Sequence, residues 1–298
     1  MLLVVFLLIE RKVVNPTVPL GLFKNRTFGI GVVLMITTMV AFFVLLFYLT
    51  FFLQSVRGDT PATAAVALLP LTIVLAFASP LAGSLAGKIG LRAIFVIGSV
   101  MSAAGLLLLM RLDVDSGWAT LVPSLILAGV GQGFLTLTAT QSIVGSAPPE
   151  KAGSASGIQQ SAQNLGSTLG ISVFSSILAT IVASRFGPAL LGYATPETEE
   201  TLRELGATPD VVGQAALGFG PGAQTALSER LTQSGAPAEQ VEQLVNAVTR
   251  AAHESFMGGL HTVFLITGII LIVGGLLALF IRQPKADPDG SETPTAAG

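Results

Sequence analysis

Charge is scarce in this sequence: Asp, Glu, Lys and Arg supply 11% of its 298 residues, against about 25% in soluble domains. That scarcity excludes an ordinary water-soluble helical domain, whose helices each turn a charged face to water. Cysteine is absent, which excludes a disulfide framework, a thiolate metal site and a cysteine nucleophile. Also missing are a phosphate-cradling G-x-x-x-x-G-K-[ST], a zinc-binding H-E-x-x-H, paired aspartates within apolar runs and a long basic patch. No enzyme, no resident cofactor or metal and no nucleic-acid partner is expected.

What is present is apolar. Hydrophobic residues make up 51% of the chain, and its mean hydropathy is +0.77. Six stretches carry no Asp, Glu, Lys or Arg: residues 28–56, 61–87, 93–110, 117–149, 152–184 and 255–281. A helix crosses ~30 Å of hydrocarbon with ~20 residues, and ~17 is the lower limit. The expected fold is therefore an all-α membrane protein, a six-helix transmembrane bundle in a lipid bilayer. Basic residues set its orientation. With the amino terminus in the cytoplasm, the inner connections hold Arg11, Lys12, Lys24, Arg26, Lys88, Arg92, Lys151, Arg282 and Lys285, and short outer loops hold only Arg57 and Arg111. The positive-inside rule favours that arrangement, with both termini cytoplasmic.

Residues 1–9 are apolar, but they reach only ~13 Å as a helix, less than half a bilayer. No basic residue precedes them, and Glu10, Arg11 and Lys12 follow where a signal peptide has small cleavage-site residues. They read as the end of a helix whose earlier part is missing, followed by a cytoplasmic linker over 15–27. The domain reading is thus 1–27 stub and linker, 28–184 five spanning helices, 185–254 an extracytoplasmic helical loop, 255–282 the last span and 283–298 a disordered cytoplasmic tail. In the loop, Pro196, Pro209 and Pro237 suit first-turn positions with Thr195 and Thr208 as caps. Val241, Leu244, Val245 and Val248 give one apolar stripe. A small helical cap over the outer mouth is expected there.

Within the spans, small-xxx-small pairs let helix backbones approach: Gly129 with Gly133, Gly153 with Gly157, and Gly166 with Gly170. Gly83 and Gly87 are spaced the same way beside a cytoplasmic turn at Gly90, flanked by Lys88 and Arg92. Phe42, Phe43, Phe47, Tyr48, Phe51 and Phe52 form an aromatic face suited to packing or lipid. Gln132 and Thr136 share a face of one helix, and Gln159, Gln160, Gln163, Asn164 and Ser167 crowd the first turns of the next. Amides in a bilayer need partners, so they face other helices or a wet cavity; interhelix bonding and substrate contact both remain open. His261, near the outer end of the last span, is the one ionisable group there of the kind that proton relays use, and reads first as an interfacial hydrogen-bonder.

The run S-P-L-A-G-S-L-A-G-K-I-G-L-R at 79–92 resembles the signature loop of the major facilitator superfamily, approximately G-x-L-a-D-r-x-G-r-r, with Gly87 where the family has an acid. P-L-G-L-F-K-N-R-T-F at 19–28, L-A-G-V-G-Q-G-F at 127–134 and A-G-S-A-S-G-I-Q-Q-S-A-Q-N-L-G-S-T-L-G at 152–170 resemble its fourteen-spanner drug:proton antiporters in order and spacing. The resemblance implies one half of such a transporter, a pair of inverted three-helix repeats, with substrate near the midplane between halves. It implies multidrug efflux of small amphipathic or cationic compounds across the plasma membrane, exchanged for protons, with the coupling residues mostly in the missing amino half. Phe43, Phe47, Gln132, Thr136, Gln163 and Asn164 are the cavity candidates by helix position and by this resemblance. The chain then works with an amino-terminal half or a second copy, or else is a remnant that transports nothing.

Overall fold

The computed structural model describes residues 19–112, 116–193, 221–233 and 237–281. The apolar stub, Pro196, Pro209, Thr195, Thr208 and the tail lie outside the described residues. Among the described residues seven α-helices are seen: α1 Arg26–Phe51, α2 Pro61–Ile89, α3 Leu91–Leu109, α4 Trp118–Val144, α5 Ala152–Tyr193, α6 Pro221–Gln233 and α7 Ala238–Ala278. All but α6 are long and apolar enough to cross a membrane. In hydrocarbon a backbone must satisfy its own hydrogen bonds, which is why the apolar runs become helices.

The helix ends follow local chemistry. Asn25 caps α1 by accepting from the Thr27 amide at 3.0 Å, and it donates to the Ser146 carbonyl beyond α4 at 3.2 Å. At its far end α1 widens into a π-turn, Phe52–Val56, where the Arg57 amide reaches back to the Phe52 carbonyl at 3.1 Å. Thr60 caps α2 with Pro61 in its first turn. A single residue, Gly90 at φ 85°, joins α2 to α3, a left-handed conformation that costs glycine little.

Helix α4 packs against α1, α2 and α3, while α5 packs against α1 and α7, and α7 also covers α3. The first helix of each three-helix set thus lies on the second helix of the other, α1 on α5 and α4 on α2, the exchange that a two-fold between inverted repeats produces. Lipid gives helices no hydrophobic drive to associate, so close backbone approach does that work. A Cβ at Gly131 would strike the backbone of Ser102 and come 2.6 Å from the Gly98 carbonyl, pressing α4 on α3. Gly129 and Gly133 press α4 on α2, at 2.8 Å from the Leu71 carbonyl and 2.7 Å from the Ala78 Cβ. Gly166 and Gly170 press α5 on α1, at 2.6 Å from the Ile36 carbonyl and 3.0 Å from that of Val40.

The other expected glycine contacts differ. Gly153, Gly157 and Gly87 meet nothing within 4 Å, and Gly83 has only ordinary contact with Leu137 at 3.6 Å. Gly153, Gly157 and Gly87 lie on exposed sides of α5 and α2 that none of the described helices covers.

With 42 and 41 residues, α5 and α7 reach ~60 Å by the 1.5 Å rise, about twice the hydrocarbon. Their surplus projects as an antiparallel pair, and α6 rests on α7. The expected stripe belongs to this projection: Val241, Leu244 and Val248 are buried, with Pro237 immediately before the helix. His253, also in it, has a buried Nε2 with no partner, and burial pushes its imidazole below the ordinary 6.5.

Two outcomes are expected. Gly166→Ala should destabilise by ~1–3 kcal/mol through overpacking, whereas Gly157→Ala, in open space, should be neutral or gain up to ~1 kcal/mol from helix propensity; thermal unfolding in detergent reads both. Because the native state disfavours protonated His253, its effect is nil above the unfolded value; as pH falls below 6.5 the unfolded chain takes the proton first and stability declines. Melting followed from about pH 7.5 to 5.5 should show that decline, flattened in His253→Gln.

Candidate functional site

Helix α5 has two opposite rows. Ile158, Ala162, Gly166, Gly170, Phe174, Leu178, Val182 and Phe186 recur every fourth residue and are all buried against α1 and α7. Two positions before each lie Ser156, Gln160, Asn164, Thr168, Ser172, Ser176, Thr180 and Ser184, all polar and all exposed. Two residues at ~100° each place this row on the far side of the helix, from end to end. The row carries no charge. Several of its hydroxyls donate to their own helix, Ser156 to Ala152, Ser176 to Ser172 and Thr180 to Ser176, at 3.0, 3.1 and 2.8 Å. Such back-bonding removes the need for an outside acceptor while leaving oxygen lone pairs outward.

The other uncovered faces are different in kind. On α2 they present Val66, Leu69, Ile73, Phe77 and Leu81, and on α7 Leu265, Ile269, Val273 and Leu276, which is what hydrocarbon accommodates. An exposed polar row of membrane length belongs against another protein surface or water.

Some cavity candidates gather beside this row. Gln159 donates to Thr140 of α4 at 3.0 Å, and the two helices run antiparallel, so the half-buried Thr136 and Gln163, four residues on in opposite directions, share one level. The exposed Asn164 adjoins them and accepts from Gln160 at 3.3 Å. Phe43 is half-buried and Phe47 is 41% exposed on α1. Tyr48, next to Phe47, donates to Ser175 at 3.1 Å, so Phe47 lies ~16 Å along α5 from Asn164. The aromatics and the amides therefore occupy different depths.

Gln132 departs from the expectation. It is 2% exposed and donates to the Thr38 carbonyl at 3.0 Å. It ties α4 to α1 in the core and lines no open surface, since its turn of α4 is enclosed by three helices. Arg92 likewise is no free loop charge: its Nε donates to the Ile281 carbonyl, fixing the last turn after α7, where unpaired carbonyls favour a cation. Lys88 stays exposed. His261 faces the Leu112 carbonyl at 3.3 Å and fastens α7 to the α3–α4 connection. Sequence reasoning missed the α5 row beyond its first turns, although a polar residue at every fourth position was visible.

A bundle of six spanning helices with an uncharged polar flank and an apolar lipid surface defines a multi-pass membrane protein of the transporter type. Residues 2–171 match the model of the Major Facilitator Superfamily, and the chain belongs to that family. It is 32% identical over 287 residues to the tetracenomycin C resistance and export protein of Streptomyces glaucescens, covering 95% of this chain and 49% of that one. It is 27% identical over 288 residues to the multidrug transporter protein MdtP of Bacillus subtilis, covering 95% and 51%. Against the tetracycline resistance determinant of Streptomyces rimosus it is 27% identical over 313 residues, covering 99% and 84%. The chain thus spans about half the length of the first two of these curated relatives.

Replacing Gln132 with Leu should lower stability by ~0.5–1.5 kcal/mol, the net worth of a buried hydrogen bond. Asn164→Leu, at an exposed position, should stay within ~0.5 kcal/mol of the parent in the same thermal unfolding assay.

Proposed function

We propose that this chain forms the carboxyl-terminal half of a secondary-active multidrug exporter, moving small amphipathic or cationic compounds outward across the plasma membrane by alternating access. The observation that carries this reading is the polar, uncharged row of α5, which runs the length of a span opposite the helix's own packing row. It suits one wall of a wet path whose other wall lies outside this bundle. The relatives named as resistance and export proteins support it, and their greater length accords with a second half, supplied by an amino-terminal segment or a second copy.

In this reading Thr136, Gln163 and Asn164 contact the compound at one depth and Phe43 and Phe47 at another, with both termini cytoplasmic. Uncharged hydroxyls and amides give a permissive surface, because they neither demand nor repel a particular charge. Exchange for protons follows from the family resemblance, and the coupling acids belong to the other half, since the spanning runs contain no Asp or Glu. That same lack favours a second reading, in which the chain alone transports nothing.

An ethidium efflux assay in an efflux-deficient host distinguishes them. The chain alone should leave dye accumulation unchanged, and co-expression with an amino-terminal half from an exporter such as MdtP should lower it. Asn164→Leu in the active pair should change relative resistance among cationic dyes by up to about tenfold, the equivalent of 1.4 kcal/mol. Dye accumulation that no amino-terminal half lowers would leave the inert reading standing.

A further inference from the structure

The border between apolar run and charge falls at the same level on two neighbouring helices, and with opposite sign. On α5 the uncharged stretch ends at Ser184, and Arg185 is the first charge after Lys151. On α7 the uncharged stretch begins at Ser255, and Glu254 is the last charge before it. These residues, with Pro188 and Ala189, line one cavity of about 360 Å³, within the ~300–1,000 Å³ range of small-ligand sites. The cavity therefore lies where hydrocarbon gives way to headgroups, on the membrane surface away from Arg92 and Ile281.

The donor and acceptor sets are separated. Arg185 lays its guanidinium over Gly258 of α7, where any Cβ would displace it, and no carboxylate lies within 4.0 Å of it among the described residues. It is the cavity's cation. The opposite wall carries a carboxylate. Glu254 takes the Tyr193 phenol on Oε2 at 2.9 Å, leaving Oε1. One guanidinium suits a phosphate, and a carboxylate with a free oxygen suits a primary ammonium as both counter-charge and hydrogen-bond acceptor.

We propose that this cavity binds the zwitterionic head of a phosphatidylethanolamine-type lipid, with its phosphate on Arg185 and its ammonium on Glu254. A choline head lacks N–H donors and leaves Oε1 of Glu254 without a hydrogen bond. Lipid bound there would clamp α5 to α7 where both leave the membrane. The site is independent of transport, so it stands or falls apart from the exporter reading.

The test places the purified full chain in nanodiscs of phosphatidylcholine alone, or mixed with phosphatidylethanolamine of the same acyl chains. Thermal unfolding is read together with native mass spectrometry of retained lipid. The wild type should melt about 3 °C higher in the mixture and retain one phosphatidylethanolamine. Arg185→Gln and Glu254→Gln should each lose that increment and the retained lipid. Equal melting of the wild type in both nanodiscs overturns the proposal without recourse to any variant, as does an increment preserved in both variants. Soluble glycerophosphoethanolamine added to phosphatidylcholine nanodiscs should have no effect; the same rise from it would overturn the lipid assignment.

Discussion

Where Gly131 of α4 meets Ser102 of α3, two helix backbones touch with no side chain between them, and the bundle is organised by contacts of that kind. Lipid tails are as apolar as leucine, so burying an aliphatic side chain between helices gains little over leaving it in the membrane. Dispersion between closely fitted surfaces remains, and it falls off steeply with a gap of even 0.5–1 Å. Glycine on one helix therefore decides where another can lie. The contacts made by Gly129 and Gly133, Gly131, and Gly166 and Gly170 fix three of the helix pairs, and the few buried polar links, such as Gln132 to Thr38, add register.

The two helices related by exchange of partners, α2 and α5, share a position but not a surface. Each packs along one row and leaves the opposite row uncovered. On α2 that row is aliphatic and aromatic; on α5 it is hydroxyl and amide. Geometry alone would treat them alike, so the difference comes from sequence; beside its polar row α5 also exposes Leu165, Leu169 and Val173. Hydroxyls bonded to their own helix suit a surface against which another body moves, because separating it breaks no bond that the helix depends on.

Much of this was legible before any coordinates. Runs free of charge over bilayer length have one solution, and the six spans followed from them. Gly129, Gly133, Gly166 and Gly170 declared their role by spacing, but Gly153 and Gly157 have the same spacing and touch nothing: a local pattern permits an approach without supplying the neighbour. Gln132 and Asn164 illustrate the same limit. Both are amides within apolar runs, yet one is enclosed and the other exposed, because burial depends on which helices surround a turn. Partners such as Ile281 for Arg92, 189 residues apart, follow from topology, which spacing within a helix does not encode. The α5 row was different: its fourfold recurrence is a sequence property that inspection of the amides alone passed over.

The π-turn at the end of α1 has a mechanical consequence. Such a turn holds one residue more than the α-helical ring it replaces, and here it buries adjacent residues, Phe52 and Leu53, completely. One residue corresponds to about 100° of rotation. The connection through Arg57, Gly58 and Asp59 therefore leaves α1 about 100° out of phase with the direction a continuous α-helix would give it, while the glycine seats at Ile36, Met39 and Val40 fix the shaft of the helix.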